Sequence, residues 1–443
     1  MPLPVLHHPH PYAHVQHLVD LPESRYTPPA PPGFDEDLET FQRPSSVEYG
    51  RQLKAMLFTL DPSIIPLNHG SFGACPKPVR AVREAYMNLQ EFEPVKYMDE
   101  LAPRLARVAR VVAAYVHAQP NQIMLVPNAS SGTTCVLRSF PFPLGSTILS
   151  FNLGYPAVTQ QMKQACGGLK QHVIQVAPPF TAAKVVHAFL QALETFVNDV
   201  IGLVVVDHIT SESGLVLPIQ DIVGLCKARD IPVLVDGAHA IGQIPLNLGE
   251  LQPDFYVSNF HKWMLAPKSA AFLYIREPEK YTVHPTVISH GHTKGTSAAF
   301  GFVGTMDYSA YLSIPASIAF HTKMGGADLM ARNHSLCVAS ALRLAKAWDT
   351  SLLTEEVDSM IGSICVVMLP LALFHDQTDM ANELETLHLV LRQHYRIEVK
   401  TALVDSVVGV RISSQMYNDQ ADYNQLEVAV LDILTRDATD LAL

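Results

Sequence analysis

The chain of 443 residues has little of what marks a membrane, nucleic-acid-binding or secreted protein. Only 16% of its residues are charged, its net charge is -11, and no basic run is interleaved with aromatic residues, so we expect no nucleic-acid partner. No apolar run approaches the roughly 20 residues that span a bilayer, which predicts no membrane association. The hydrophobic content of 48% is that of an ordinary globular enzyme.

Cysteine is scarce, and none of the six cysteines lies in a CxxC pair or in another spacing typical of metal ligands. The amino-terminal segment lacks the charged start and apolar core of a secretory signal. We therefore expect a reduced, cytoplasmic protein with no metal site. Histidines in that segment could bind a metal, but we favour a solvated tail because no fixed geometry holds the rings. They are His7, His8, His10, His14 and His17.

Proline density suggests how the chain is organised. Prolines crowd between Pro22 and Pro44, which predicts a disordered or loosely packed Pro/His-rich arm over residues 1–48. A large domain should follow over 49–300, and a smaller α+β domain over 301–443. Between residues 78 and 118, apolar side chains recur at three- and four-residue steps, which predicts two helices broken near Pro94.

Short apolar runs alternate with helical patterns after residue 120. Continuous runs of Val, Ile and Leu are typical of strands buried on both faces, so the alternation predicts an α/β fold with a mostly parallel, seven-stranded sheet. The expected strands are 122–126, 147–151, 172–176, 203–206, 233–235, 255–257 and 271–275. In the second domain we expect helices over 310–321 and 327–348, and strands over 363–369 and 407–412.

Polar residues follow several of these runs. Ligands of parallel sheets bind beyond the carboxyl ends of the strands, so residues placed there should converge on one crevice. The residues expected in this crevice are Asn128, Asn152, Asp207, Asp236 and His261.

Lys262 and Asp236 are the most informative pair, 262 − 236 = 26 positions apart at the ends of two consecutive expected strands. A lysine amine forms a Schiff base with the aldehyde of pyridoxal phosphate, and a carboxylate keeps the pyridine nitrogen protonated so that the ring accepts electrons. Aromatic neighbours favour a partly buried Lys262, with a lowered pKa, over a surface lysine. Asp236 could instead cap a helix, although Gly237 and Ala238 leave no bulk above its carboxylate, which suits a flat ring.

A phosphate site is predicted at residues 128–134, Asn-Ala-Ser-Ser-Gly-Thr-Thr, which follow a strand and begin a helix. Small residues and hydroxyls at a helix start present free backbone N–H groups to an anion. An ordinary strand-to-helix turn is the alternative. Asn259 and His261, just before Lys262, complete a coherent phosphate cup.

Three further side chains have two interpretations each. Tyr155 could stack on the pyridine ring or pack in the core. His239 could hydrogen-bond the phenolic oxygen of the cofactor or fill its loop. Arg411 lies in an apolar run and needs an anionic partner, either a substrate carboxylate held by its bidentate fork or an internal salt bridge.

Together these residues make the chain resemble the class V aminotransferase family of fold-type I pyridoxal phosphate enzymes, and within it the plant-type L-cysteine desulfhydrases. The resemblance extends from about residue 65 to residue 428. It rests on the segments 68–73, 128–131, 207–211, 236–242, 257–263, 287–290, 304–308, 346–348 and 410–413.

The resemblance implies a role for each matched residue. Lys262 would be the Schiff-base lysine, and Arg411 would bind the substrate carboxylate with Asn68 nearby. The residues implied to bind the cofactor are Asp236, His239, Ala129, Ser130, Asn259, His261 and, from a neighbouring subunit, Thr305. A homodimer is implied with them, and so is a small amino-acid substrate.

The sequence departs mildly from the family at the phosphate loop, which has two serines where relatives often have two threonines, and more tellingly from the desulfurases of this family. Those enzymes carry a persulfide on a mobile cysteine shortly before the carboxylate-binding arginine, and residues 399–410 contain no cysteine. Cys337 lies in an expected helix and Cys365 in an apolar run, so neither is expected to be mobile or activated. The expected function is therefore direct elimination from L-cysteine to pyruvate, ammonia and sulfide. The alternatives are an epimerase of the isopenicillin N type, a lyase of larger thioethers or sulfoxides, and a cofactor-free binding protein.

Overall fold

The computed structural model describes residues 14–45, 47–165 and 168–435. The expectations for His7, His8 and His10, and for the start of the arm, lie outside these residues. The strands are β1 Ile65–Pro66, β2 Ile123–Val126, β3 Thr147–Phe151, β4 Lys170–Ile174, β5 Ile201–Asp207, β6 Val233–Asp236, β7 Phe255–Asn259, β8 Ala271–Ile275, β9 Ile364–Met368, β10 Ile397–Glu398, β11 Lys400–Val404 and β12 Val407–Ser413.

Helices account for most of the remaining chain. They are α1 His14–Asp20, α2 Arg51–Leu57, α3 His69–Phe72, α4 Lys77–Phe92, α5 Pro94–Val116, α6 Ala129–Ser139, α7 Pro156–Ala165, α8 Ala182–Thr195, α9 Ile219–Lys227, α10 Leu248–Leu251, α11 Thr296–Gly301, α12 Ser309–Leu312, α13 Ile314–Lys323, α14 Ala327–Ala347, α15 Val357–Met360, α16 Met380–Gln393 and α17 Gln420–Thr435. Short 3-10 helices lie at Glu23–Arg25, Pro120–Gln122 and Leu371–Leu373. No helix of the described part is both long and apolar enough to cross a membrane.

A seven-stranded sheet in the order β2-β8-β7-β6-β5-β3-β4 forms the centre of the large domain. Its strands pair in parallel from β4 across to β7, and only β8 runs antiparallel to its neighbours. The mostly parallel sheet expected from the sequence is thus confirmed. The chain reverses its direction of strand addition between β3 and β5, and such a switch point opens a crevice at the carboxyl ends of the strands.

The central strands are apolar throughout because helices cover both faces of the sheet. Every residue of β2, β3, β6, β7 and β8 is buried. One face packs against the long helices α4 and α5, and the other against α6 and α7. A separate core joins α14, α16 and α17 to the antiparallel sheet β11-β12-β9, which forms the smaller α+β domain.

The two hydrophobic cores do not divide the chain at residue 300, where the domain boundary was expected. Residues 302–329 contribute to the core that contains α4 and α5, whereas Ile65 and Leu67 contribute to that of the smaller domain. The strand β1 explains the second difference, since it pairs in parallel with β10. A short strand that joins two distant segments has no local sequence signal.

The expectation of a disordered or loosely packed arm is wrong for residues 14–20, which form helix α1. Helix α1 buries Val15 and Val19 against α5 and α11, and the side chain of Gln16 accepts a hydrogen bond from the Ser297 backbone N–H at 2.9 Å. Arg110 then binds the carbonyl of Leu18 at 2.8 Å. The prolines after this helix favour an extended path over the surface, and tertiary packing holds that path in place.

Candidate active site

A cleft lies at the carboxyl edge of the parallel strands, as the fold predicts. Asp207 ends β5 and Asp236 ends β6, and the two are direct partners across the strand pair. The cleft has a volume of about 160 Å³. Its lining residues are Ser71, Asn128, Ala129, Ser130, Tyr155, Asp207, Ser211, Asp236, Ala238, His239, Asn259, His261 and Lys262.

Asn152 is the one residue of the expected crevice that does not line it. Its side chain bonds both the backbone N–H and the carbonyl of Val176, at 3.1 and 3.0 Å. It therefore joins the end of β3 to the segment after β4. The amide satisfies backbone groups that the end of the sheet would leave without partners.

Lys262 follows β7, and its buried neighbours Phe260 and Trp263 fix the loop that carries it. Its Nζ lies 2.9 Å from Nε2 of His239. The pKa of Lys262 is lowered to about 8, mainly by burial and in part by the positive charge of Arg411, while the carboxylate of Asp236 opposes both. A lysine amine with such a pKa is in part unprotonated near neutrality, so it can act as a base and nucleophile.

Asp236 and Asp207 are two buried carboxyl groups side by side, 3% and 5% exposed. Neither has a cationic side chain within 4.0 Å among the described residues. Burial raises the pKa of both groups, and for Asp207 the neighbouring charge of Asp236 adds to the effect. Asp236 Oδ1 accepts the Ala238 N–H at 2.9 Å in a turn, so the helix-cap alternative for Asp236 does not hold.

Gly237 serves a different purpose from the one expected. A Cβ at this position would overlap the ring of Tyr256, whose hydroxyl lies 2.8 Å from Nδ1 of His208. The glycine therefore makes room for a buried aromatic ring beneath the cleft. Ala238, and not Gly237, lines the cleft beside Asp236.

The amino terminus of α6 points into the cleft. Asn128 caps the helix by accepting the Ser131 N–H at 2.8 Å. The Ala129 N–H donates to Asn259 Oδ1, also at 2.8 Å, which leaves the amide Nδ2 of Asn259 to donate elsewhere. The hydroxyls of residues 133 and 134 bond back to the Ser130 carbonyl within the helix, so they do not belong to the cup.

His261 and Tyr155 complete this wall of the cleft. His261 Nδ1 lies 3.1 Å from the Ala270 carbonyl and so carries the proton, while burial lowers the pKa of the ring to about 4. Tyr155 is 37% exposed, and its backbone N–H donates to Asp207. Asp207 thus holds the loop that carries the aromatic ring. Thr305 is exposed and does not line the cleft of a single chain.

Arg411 lies in the middle of β12 and is 1% exposed. Its Nη2 donates to Asn68 Oδ1 at 2.9 Å and to Ser71 Oγ at 2.6 Å, and its Nη1 donates to the Ser211 carbonyl. All these partners are neutral, so the structure shows no internal salt bridge of this guanidinium. Its buried Nε has no partner among the described residues, and burial lowers its pKa to about 10. This guanidinium therefore has no anionic partner among the described residues.

The sequence profile described as "Aminotransferase class-V" matches residues 81–426. The chain belongs to this family. Among its relatives, the putative L-cysteine desulfhydrase 1 of Oryza sativa subsp. japonica is 32% identical over 88% of this chain and 87% of its own length. The probable chloroplastic L-cysteine desulfhydrase of Arabidopsis thaliana is 31% identical over 84% and 83%.

The fold of this class V chain also matches solved structures. The cystine C–S lyase C-DES, solved with its reaction product cysteine persulfide, superposes with a TM-score of 0.69. It is 20% identical, and the match covers 83% of this chain and 97% of that one. At this identity the likeness shows the fold alone.

The class V motifs also contain residues whose role the sequence did not indicate. His69 donates from Nε2 to the Lys262 carbonyl at 3.1 Å and accepts the Tyr417 hydroxyl at Nδ1, 2.7 Å away. Gly73 has a φ of +68° and passes so close to the His261 carbonyl that any Cβ would overlap it. The motif 68–73 therefore holds the lysine loop from behind. The glycines and the histidine of this motif are the sequence features that could have indicated this role.

Proposed function

We propose that this class V chain is a pyridoxal phosphate-dependent carbon–sulfur lyase that converts L-cysteine and water to pyruvate, ammonia and hydrogen sulfide. One observation carries the proposal. One cleft is lined by a lysine of lowered pKa and a buried acid without a cation, and an arginine without an anion lies behind its lining residues Ser71 and Ser211. A cofactor-free binding protein would gain nothing from these uncompensated groups, which burial makes unfavourable.

The residues present fit the cofactor. Asp236 would pair with the pyridine nitrogen, whose positive charge would offset the unfavourable burial of the carboxylate. His239 would donate to the phenolic oxygen, and the ring of Tyr155, oriented by Asp207, would stack on the pyridine. The phosphate would lie at the start of α6, among Ala129, Ser130, Asn259 and His261, with Thr305 of a neighbouring subunit.

When bound, pyridoxal phosphate supplies a ring that accepts the electrons of a carbanion at the substrate Cα. Lys262 would remove the Cα proton, for which its lowered pKa suits it. Arg411 would hold the substrate α-carboxylate from behind Ser71 and Ser211, which line the cleft and bond to its guanidinium. Asn68 and Ser71 fix the plane of the guanidinium, so the clamp is formed before the substrate arrives.

Direct elimination is favoured over persulfide transfer because no cysteine of the described residues lines the cleft. Burial raises the pKa of Cys337 to about 12, and that of Cys365, paired in the sheet with Ile412, well above its ordinary value. Cys75 lies after Gly73, and burial raises its pKa to about 12 as well. Thiols in this state are poor nucleophiles. Sulfur would therefore leave as sulfide.

The assembly and the compartment belong to the same proposal. We propose a homodimer, because the expected phosphate ligand Thr305 is exposed and outside the cleft of its own chain. We also propose a cytoplasmic, reducing location. The five cysteines of the described residues are all unpaired, which fits such a compartment.

Spectroscopy of the purified protein tests the cofactor. We expect a near-visible absorption band from cofactor bound covalently to lysine, and its loss in Lys262→Ala. Lys280→Ala, at the opposite edge of the sheet, is the matched control and should keep the band. A purified chain that has no such band when supplied with pyridoxal phosphate would show that the cofactor assignment is wrong.

Product analysis tests the reaction. With L-cysteine we expect equal amounts of sulfide and pyruvate, and a fall of at least about 1,000-fold in Lys262→Ala, since an essential base is lost. Exchange of the Cα hydrogen for deuterium without sulfide would indicate the epimerase instead. Activity only on larger thioether or sulfoxide amino acids would keep the lyase but change its substrate.

A further inference from the structure

The residue after the catalytic lysine is one of only two tryptophans in the chain, and it is fully buried. The indole Nε1–H of Trp263 donates to Nδ1 of His239 at 3.3 Å. Neighbouring groups confine the ring: the His69 ring lies 5.0 Å away, and Gly70 leaves no spare room, since a Cβ there would lie 3.3 Å from the indole. Trp263 is therefore held in the position from which it donates.

This contact determines where His239 carries its proton. A neutral imidazole has one N–H and one lone pair, and an indole nitrogen only donates. Because Trp263 donates to Nδ1, that nitrogen must provide its lone pair, and the proton lies on Nε2. Burial lowers the pKa of His239 well below its ordinary value, which keeps the ring neutral.

The other nitrogen of His239 faces the catalytic amine. Nε2 lies 2.9 Å from Nζ of Lys262, and with its proton in place it donates in this contact. The acceptor must then be the lone pair of an unprotonated amine, since an ammonium would place two donors against each other. After Lys262 has moved away, the same N–H would meet the phenolic oxygen of the cofactor as a donor.

We propose that Trp263 is a positioning residue: its indole N–H fixes His239 with the proton on Nε2, and so favours the unprotonated, reactive form of Lys262. This inference rests on the proposed function, because it assigns the lysine as the group that reacts with the cofactor. It adds a residue that touches neither the reacting amine nor the cleft.

Several other charges act on Lys262, and the test must distinguish them from Trp263. Asp236 on β6 and Asp207 on β5 favour the ammonium, whereas Arg411 on β12 and Lys400 on β11 favour the free amine. His69, on α3, and His239 face the lysine loop from two sides, and burial keeps both neutral. Removing only the indole N–H leaves all of these groups in place.

The variant Trp263→Phe removes the donor and keeps an aromatic ring. His239 can then place its proton on Nδ1 and offer a lone pair at Nε2, which accepts from an ammonium and stabilises it. The pKa of Lys262 should rise by about one pH unit. At a pH below this pKa, the fraction of unprotonated amine should then fall about ten-fold. We would measure this as the pH dependence of the rate at which the full-length apoprotein captures pyridoxal phosphate.

The matched control is Trp348→Phe. Trp348 is the other tryptophan and is 4% exposed, but its Nε1 has no partner among the described residues, and it lies in the core of the smaller domain. It should leave the pH midpoint of capture unchanged. An equal midpoint in the wild-type chain, Trp263→Phe and Trp348→Phe would overturn the inference.

A second measurement needs no tryptophan variant. Side-chain ¹⁵N shifts of the full-length apoprotein, with the His239 signals assigned by their loss in His239→Gln, report which ring nitrogen carries the proton. We expect the proton on Nε2, and a proton on Nδ1 would contradict the inference even if Trp263→Phe does not fold. If the wild-type chain captures no pyridoxal phosphate at Lys262 but the proton is on Nε2, the proposed function fails while the tautomer stands.

Discussion

Both edges of the central sheet contain buried carboxylates, but the partners of these carboxylates differ. At the amino edge, Asp254 accepts from Arg276 at 2.5 Å, from the Tyr281 hydroxyl at 3.2 Å and from the Val233 N–H at 2.9 Å. At the carboxyl edge, Asp207 and Asp236 are as deeply buried, and no cation lies within 4.0 Å of either among the described residues.

The contrast is between a buried carboxylate that has a cationic partner and two that have none. A buried carboxylate is unfavourable unless a partner offsets its desolvation, so an edge that only had to fold would resemble the one at Asp254. The carboxyl edge keeps two carboxylates without that compensation, together with a lysine of lowered pKa. Such groups are typical of a site completed by a ligand.

Replacing the acid at each edge by asparagine should give the largest effects on activity and stability. Asp236→Asn should lower sulfide release by at least about 100-fold, because the group that holds the ring nitrogen protonated is lost. It should change the free energy of unfolding by less than about 1 kcal/mol, because no ion pair is broken. Asp254→Asn should destabilise the chain by about 1 to 3 kcal/mol, because a buried acceptor of three hydrogen bonds loses its charge.

The measurements are sulfide assays on the folded variants and urea denaturation of the apoproteins. The folded fraction of Asp254→Asn should keep near-normal activity per molecule. The comparison fails if Asp236→Asn loses stability and keeps activity, since Asp236 would then be a structural group like Asp254.

Two arginines should differ in the same sense but less strongly: Arg276 at the amino edge, and Arg411 on β12 of the smaller domain, which lies behind the cleft. Arg411→Lys should raise KM for L-cysteine and lower kcat/KM by roughly 10- to 100-fold, because a lysine cannot reproduce the planar fork that Asn68 and Ser71 orient. Arg276→Lys should leave kcat/KM unchanged and destabilise the chain by about 1 kcal/mol, since an ammonium can still pair with Asp254. Steady-state kinetics and urea denaturation of both variants would check this, and a fall in kcat alone for Arg411→Lys would argue against a carboxylate clamp.

The sequence predicted the large features because their signals are local. Continuous apolar runs mark β3 and β8 at their observed bounds, and Lys262 and Asp236 follow strands that end at one edge. β4 is two residues from its expected place, since its exposed side chains give a weak pattern. The roles of the site residues remain predictions.

Other features depended on contacts that no local pattern contains. The glycine at 237 accommodates Tyr256, and Asn152 holds a neighbouring segment and does not face the cleft. The arm from residue 14 onward packs against α5, because helix faces distant in sequence complement it. The pairing of Trp263 with His239 likewise joins residues 24 positions apart, through the fold of two loops.

A smaller effect than the loss of activity in Asp236→Asn should be the dependence of apoprotein stability on pH. The pKa of Lys262 is about 8 in the folded chain and 10.5 ordinarily, so between these values the unfolded chain binds more protons than the folded one. Stability must then rise with pH across this window. Compared with Lys262→Met, the free energy of unfolding of the wild-type apoprotein should increase by about 1 to 2 kcal/mol from pH 8 to pH 10.5, less than the full shift implies because the cleft is open to water.

Lys227→Met, which alters an exposed lysine at the amino edge, should differ from wild type by a constant amount, as urea denaturation at several pH values would show. A wild-type curve parallel to that of Lys262→Met would mean that the lysine is not held as a free amine, and the two edges would then differ in their carboxylates alone.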